Sequence, residues 1–291
     1  VHCRQDMMAS MPPNHPDVSA GTALQQTDQR MKTLVLAGTA EARAVVAALS
    51  SDPAFIIEAS LAGATTKPAS LDVPTHKGGF GGEEGLARFC RDNGFDLILD
   101  VTHPYATVIS RNAALAAQRA GIPCLHYQRP PWMPEQADRW QHFSSWQDMA
   151  DAIPAKTRVF LAGGTQSVEM FMRRTDITLI ARALNLADKT SSPQTIFINA
   201  LPSKTVEGEC KLLNKHNIAL ICCKNSGGNS SFAKILAARK CGIEVWMLDR
   251  KPMAFSLDGP AQKGMPSPQI HDTVETIISA ARQYAAVRLG H

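Results

Sequence analysis

The feature that most limits the fold of this chain is a repeated unit: a short apolar run, a glycine-bearing polar loop, then a helix-forming segment. The clearest copy runs from Ile218 to Arg239. Ile218 to Cys223 reads as a buried strand because its apolar character is unbroken. It stops at Lys224-Asn225-Ser226-Gly227-Gly228 and restarts as the helical pattern Phe232 to Arg239. Thr33 to Ala37, then Gly38-Thr39-Ala40-Glu41, then Ala42 to Leu49 repeats the unit. So does Arg158 to Ala162, followed by Gly163-Gly164-Thr165 and Ser167 to Met172. Asp96 to Val101 ends in Thr102-His103-Pro104-Tyr105-Ala106, ahead of a helix from Ser110 to Ala120 with Gly121 as its C-cap. Strands alternating with helices in this way build parallel sheets covered on both faces. The expected fold is α/β: two Rossmann-like (doubly wound, parallel-sheet) domains with a cleft between them, which suits 291 residues.

The expected boundaries follow composition. Residues 1–30 are rich in Pro, Gln, Asp, Ser and Met without an apolar period, so a disordered tail is expected there. Met31 opens the first ordered element, and the first domain is expected over 31–130. Arg129-Pro130-Pro131-Trp132-Met133-Pro134 is a proline-rich crossing and marks the boundary. The second domain is expected over 131–291, entered by a short strand at Trp140 to Phe143. It closes with a helix from Thr273 to Val287 that carries Val274, Ile277, Ile278 and Ala281 on one face.

Composition excludes several classes. No stretch reaches the roughly 20 apolar residues of a membrane span. A net charge of +4 with no basic block argues against nucleic acid and is compatible with a small anionic ligand. The seven cysteines have no paired spacing, so reduced thiols in a cytoplasmic protein are expected. HExxH, Walker A and GxSxG motifs are absent. Tyr105, Tyr127 and Tyr284 are followed four positions on by Ile109, Pro131 and Arg288, so the Tyr-x-x-x-Lys pair of short-chain dehydrogenases is missing. His103 and His126 lack Cys or carboxylate partners at ligand spacing, and no metal is expected.

Open parallel sheets bind ligands at the carboxyl ends of their strands. Glycine there admits a close backbone, and the following helix N-terminus favours an anion. The Gly38 loop and the Lys224 to Gly228 loop occupy such positions, although both also suit plain structural turns. The second strand, Phe55 to Leu61, exits without the carboxylate that would hold the ribose hydroxyls of NADH. Thr66 and Lys67 stand in that exit and suit a 2′-phosphate, which favours NADPH over NADH; an ordinary polar loop fits the same residues. His103 and Tyr105 end another strand on the same rim, where they can line a ring or donate a proton. Five glycines lie between Gly78 and Gly85 around Phe80, which points to a shaped loop rather than a linker.

In order, Gly-Thr-x-Glu-Ala-Arg, His-Lys-Gly-Gly-Phe-Gly-Gly, Asp-x-Thr-His-Pro-Tyr-Ala, Tyr-x-Arg-Pro-x-Trp and Lys-Asn-Ser-Gly-Gly resemble the precorrin-6A reductase family of cobalamin biosynthesis, from about Lys32 to Pro252. The resemblance implies hydride transfer from a reduced nicotinamide to a ring carbon of a conjugated macrocycle, with a proton added at the neighbouring carbon. It implies that Gly38, Thr39, Ala40 and Glu41 hold cofactor phosphates, Thr66 and Lys67 the adenosine ribose phosphate, and that Thr102, His103 and Tyr105 line the nicotinamide and macrocycle. His103 is then the expected proton donor, with Tyr105 beside it. Lys224, Asn225, Ser226, Gly227 and Gly228 would face the cleft from the second domain. Arg182 and Arg250 would receive carboxylates of this anionic tetrapyrrole. The chain departs from the family pattern at Ala37, where the family has glycine, at Asn199 to Ser203, where it has Arg-Gly-Pro-Phe, and at Lys67, where arginine is common. The resemblance leaves room for a cobalt-containing substrate with NADH, and transient contact with other corrin-pathway enzymes is expected. From a different class, a non-catalytic NADP-binding sensor would share the same loops.

Overall fold

The computed structural model describes residues 29–61, 70–184, 191–251 and 269–290. The expected tail up to residue 28, and Thr66 with Lys67, lie outside the described residues. The first half runs β1 (Met31–Leu36), α1 (Ala40–Ser50), β2 (Phe55–Leu61), β3 (Thr75–Lys77), α2 (Gly82–Asp92), β4 (Leu97–Asp100), α3 (Thr107–Ala120) and β5 (Cys124–Tyr127). The second runs β6 (Trp140–Phe143), α4 (Trp146–Ala152), β7 (Arg158–Ala162), α5 (Thr165–Met172), β8 (Thr178–Arg182), β9 (Thr195–Ile198), α6 (Val206–Lys215), β10 (Leu220–Lys224), α7 (Ala233–Cys241) and β11 (Glu244–Leu248). β12 (Gln269–His271) and α8 (Val274–Leu289) follow.

Two six-stranded sheets result, ordered β3-β2-β1-β4-β5-β12 and β9-β8-β7-β10-β11-β6. Every pairing in both is parallel. The first order is the doubly wound pattern, with its switch point between β1 and β4; the second sheet repeats it, with the switch point between β7 and β10. This is the α/β, Rossmann-like architecture expected from the repeated unit.

The sixth strands differ from expectation. The sequence assigned everything after residue 131 to the second domain, closing helix included. Instead β12 pairs with β5 of the first sheet, in the register Gln269 to Leu125, Ile270 to His126 and His271 to Tyr127. α8 buries Ile277, Ala281 and Ala285 in the same apolar cluster as Val45, Val46 and Leu49 of α1. Arg282–Asp52 at 2.9 Å and Arg288–Asp96 at 2.7 Å tie its outer face to the first sheet. The apolar stripe identified a buried helix; it carried no information about which of two similar sheets lacked a cover. The second sheet fills its own sixth position with β6, the strand made immediately after the crossing.

The glycine loop after β3 is shaped, as expected. Phe80 stacks on His76 at 4.6 Å and packs against Phe89 of α2 at 5.0 Å. A Cβ at Gly85 would lie 1.7 Å from the Phe80 carbonyl oxygen, so only glycine lets this loop lie on α2. The helix begins at Gly82, earlier than its apolar residues indicate, because Glu83 and Glu84 suit a first turn. The six cysteines among the described residues are free thiols. Among the described residues no helix is long and apolar enough to cross a membrane.

Candidate active site at the junction of the two sheets

The carboxyl ends of the two sheets meet, and the contacts between them define the site. On the first sheet, Gly38 takes φ +128 and Thr39 caps α1. The Thr39 hydroxyl accepts from the Ala42 N–H at 3.0 Å and donates to the Val101 carbonyl at 2.8 Å, joining the β1 exit to the β4 exit. A Cβ at Gly38 would meet nothing within 4 Å, so the space over this loop is open. The remaining first-turn amides of α1, at Ala40 and Glu41, have no intrahelical partner. An open glycine cradle and free amides fit a dinucleotide phosphate. The Glu41 side chain faces elsewhere: its Oε1 accepts from Arg129 Nη1 at 2.7 Å, a pair that runs to the segment crossing between the sheets.

At the β4 exit, Asp100 is fully buried. It accepts from the Thr102 N–H at 3.1 Å and the Thr102 hydroxyl at 2.6 Å, and pairs with His126 Nδ1 at 2.7 Å. Burial opposes its charge, but hydrogen bonds from His126, Ser110 and Thr102 outweigh it and hold the carboxyl below the usual range. The Thr102 hydroxyl is thereby turned inward, and what Thr102 supplies to the rim is a rigid backbone rather than a polar tip.

His103 Nδ1 accepts the Tyr105 N–H at 3.3 Å, which assigns the ring proton to Nε2 in the neutral form. Burial first, then the nearby cations Arg129, Lys224, Arg250 and Lys234, push its pKa down to about 3. The ring is neutral near pH 7, so in the free protein it carries no proton to donate as an imidazolium. The stability effect has a definite sign. The folded-state pKa lies below the unfolded value of about 6.5, so the neutral ring's contribution is complete above about pH 6.5 and is lost as pH falls towards 3. Between about pH 6.5 and 5, before carboxylates of ordinary pKa titrate, a His103→Asn variant should show a flatter fall of unfolding free energy than the parent. Identical slopes would mean that neither burial nor the four cations lower the pKa of this ring.

Tyr105 does not stay on its own sheet. Its ring packs on the apolar core of the second sheet. Its hydroxyl donates to the Leu248 carbonyl and accepts the Asn225 N–H at 2.9 Å. Burial pushes the phenol pKa up. Tyr105 is a latch between domains with both hydrogen-bonding roles occupied, rather than a free acid. Tyr105→Phe should cost about 1–2 kcal/mol in denaturant unfolding, at the low end because the Asn225 N–H keeps a 3.2 Å bond to Leu248. An unchanged midpoint would remove the latch.

The loop after β10 is clamped by the crossing segment. Asn225 and Trp132 exchange two bonds, Trp132 N–H to Asn225 Oδ1 at 2.8 Å and Asn225 Nδ2 to the Trp132 carbonyl at 3.0 Å. Arg129 Nε donates to the Ser226 carbonyl at 2.8 Å, and Trp132 Nε1 to the Gly228 carbonyl at 2.9 Å. Arg250 donates to the carbonyls of Asn225, Arg129 and Pro130 at 2.8, 2.5 and 3.3 Å. Asn225, Gly227, Gly228 and Arg250 therefore hold the crossing, rather than directing polar side chains into an open cleft. Lys224 is different: its ammonium lies 5.3 Å from the Tyr105 ring centroid and forms no ion pair among the described residues. Burial lowers its pKa.

Arg182, at the end of β8, places Nη1 on both oxygens of Glu209 at 2.7 and 3.0 Å, with its guanidinium 4.8 Å from the Phe160 ring. Arg182 and Ser226 line one pocket together with Lys234 of α7. Sequence reasoning gave no site role to Arg129, Lys234, Glu209 or the Asp100–His126 pair. Arg129 and Trp132 were visible as a boundary and within the Tyr-x-Arg-Pro-x-Trp motif, without a role attached, and Lys234 sat unmarked inside a helix-forming run.

A family model described as "Precorrin-6x reductase CbiJ/CobK" matches residues 32–281. The precorrin-6A reductase of Rhodococcus erythropolis is 39% identical over 223 residues, covering 76% of this chain and 90% of that one. That of a Sinorhizobium species is 38% identical over 228 residues, covering 78% and 87%. A solved structure titled "CobK precorrin-6A reductase" superposes with a TM-score of 0.75 at 30% identity, covering 87% of this chain and 97% of that one. Matches of this extent, in sequence and in fold, leave one assignment: the chain belongs to the precorrin-6x reductase family, CbiJ/CobK.

Proposed function

We propose that this protein reduces precorrin-6A to its dihydro product with NADPH, at the junction of the two sheets, as a step of cobalamin biosynthesis. The observation that carries the reading is the charge of that junction. Arg129, Arg182, Lys224, Lys234 and Arg250 gather there, and the carboxylates paired to them are Glu41 and Glu209. Such an excess of cations suits a polyanionic macrocycle and a dinucleotide phosphate together.

The reduced nicotinamide, when bound, supplies the hydride. The chain's own residues bind and orient. The Gly38 cradle and the free amides of Ala40 and Glu41 receive phosphate, and Thr39 holds that loop against the β4 exit. Thr66 and Lys67 are the proposed contacts of the 2′-phosphate. Lys224 and Arg182 are the proposed contacts of macrocycle carboxylates. Arg129, Arg250 and Tyr105 fix the two sheets so that both ligands meet. His103 presents a neutral Nε2–H; substrate carboxylates would offset the surrounding cations and raise its pKa, which is the condition for a donor role. The proposed setting is the cytoplasm, with transient contacts to other corrin-pathway enzymes.

The test mixes purified protein with precorrin-6A and NADPH, following nicotinamide absorbance and product mass. Oxidation of the cofactor with a gain of two hydrogens on the macrocycle is expected, and slower turnover with NADH. Turnover only on the cobalt-containing macrocycle would move the substrate to the metallated form. Cofactor binding without turnover on either would replace the reductase by a sensor.

A further inference from the structure

A pocket on the second sheet carries an unbalanced buried charge. It lies at the exits of β7, β8 and β10, where Gly164, Arg182, Ser226, Ser231 and Lys234 line it. The Arg182 side chain is 5% exposed and its partner Glu209 fully buried. Both oxygens of Glu209 already accept from Arg182 Nη1, and Oε1 also accepts the Ser203 N–H at 2.6 Å. Arg182 Nη2 is buried with no hydrogen-bond partner among the described residues. Lys234 is 3% exposed; its ammonium donates to the Ser231 carbonyl at 2.9 Å and lies 4.6 Å from the Trp132 ring. It forms no ion pair among the described residues. Two buried cations thus share one buried carboxylate. An uncompensated buried charge is strongly unfavourable unless something completes it. The start of α5 adds to this: Gly164 caps it without a side-chain bond, and its first turn holds no acidic residue.

We propose that this pocket is a second oxyanion subsite, in which Arg182 Nη2 and Lys234 hold one carboxylate or phosphate group of a bound ligand. Burial holds the Lys234 ammonium below the usual lysine range, and an oxyanion beside it would restore the charged form. The identity of the ligand rests on the reductase reading above; the subsite itself does not. Its oxyanion comes either from the macrocycle's carboxylates or from a phosphate of the dinucleotide.

Lys234→Met separates the possibilities, because methionine keeps the stem and removes the charge. The free variant should melt at or above the parent's temperature, since a desolvated charge is gone. Inorganic phosphate should raise the melting temperature of the parent by more than that of the variant, in which only the Gly38 cradle is left to receive it. Lys234→Gln, which keeps a donor for Ser231, should behave like Lys234→Met. If the oxyanion belongs to the dinucleotide, Kd for NADPH rises about ten-fold or more, as for loss of one charge-assisted hydrogen bond. If it belongs to the macrocycle, NADPH binding is unchanged and KM for precorrin-6A rises instead. Equal phosphate shifts in parent and variants, or none in the parent, overturn the subsite. A phosphate shift that depends on Lys234 in a protein that does not turn over precorrin-6A would keep the subsite and reject the reductase reading.

Discussion

Arg129→Met is expected to lower the unfolding free energy by about 3–5 kcal/mol, the range for breaking a buried ion pair by removing one partner. The Arg129 side chain is 5% exposed and that of Glu41 16%. Glu41 Oε2 is already buried without a hydrogen-bond partner among the described residues, so removing the guanidinium strands a carboxylate in poor solvent. The Ser226 carbonyl loses its donor at the same time. Denaturant unfolding of Arg129→Met, Glu41→Gln and the double variant reads this directly. The double should cost less than the sum of the singles, because each single leaves the other group unpaired. A loss under about 1 kcal/mol for Arg129→Met would mean that water or another donor replaces the guanidinium. Turnover should fall together with stability, since Arg129 joins the α1 start to the β10 exit.

Gly227→Ala is the second large effect. Gly227 takes φ +66, and a Cβ there would lie 2.1 Å from the Pro130 carbonyl oxygen and 2.5 Å from Arg250 Nη2. The left-handed backbone costs a β-carbon roughly 1–2 kcal/mol, and forced overlap in a packed site roughly 1–3 more. Pro130 cannot retreat without loosening the bonds Arg250 makes to Arg129 and Pro130. Gly242→Ala is the internal control: φ is +65 but nothing lies within 4 Å, so it reports the backbone cost alone. Gly227→Ala should exceed that control by at least about 1 kcal/mol and should reduce turnover, whereas Gly242→Ala should leave turnover intact. Equal costs would show that the crossing segment yields freely, contrary to the clamp.

These two positions also mark how far the sequence reached. Gly227 was legible as a glycine at a strand exit, where a backbone can approach closely; its positive φ came from the structure. That its neighbour would be Pro130 was not legible, since nothing local links residues so distant in the chain. His103 and Tyr105 were legible as residues at a strand's end. Their chemistry was not. His103 is neutral because the fold buries it and, second, surrounds it with cations from the crossing segment, β10, α7 and the β11 exit, and Tyr105 is a latch because its hydroxyl reaches the second sheet. Arg250 was legible as a cation at a strand's end, but not as a residue that engages three backbone carbonyls.

By itself the sequence determined the local units: unbroken apolar runs make parallel strands, glycine-bearing loops end them, and helix-forming segments return the chain. Repetition of that unit determined two doubly wound sheets, and the ordered motifs determined the family. That the last strand and helix return to the first sheet emerged from long-range packing, because a helix's apolar stripe specifies burial without naming its partner. The same packing set which charges are balanced. Arg182 with Glu209 and Arg129 with Glu41 are pairs made by folding, whereas Lys234, which has no ion pair among the described residues, is buried in a way that no local pattern encodes.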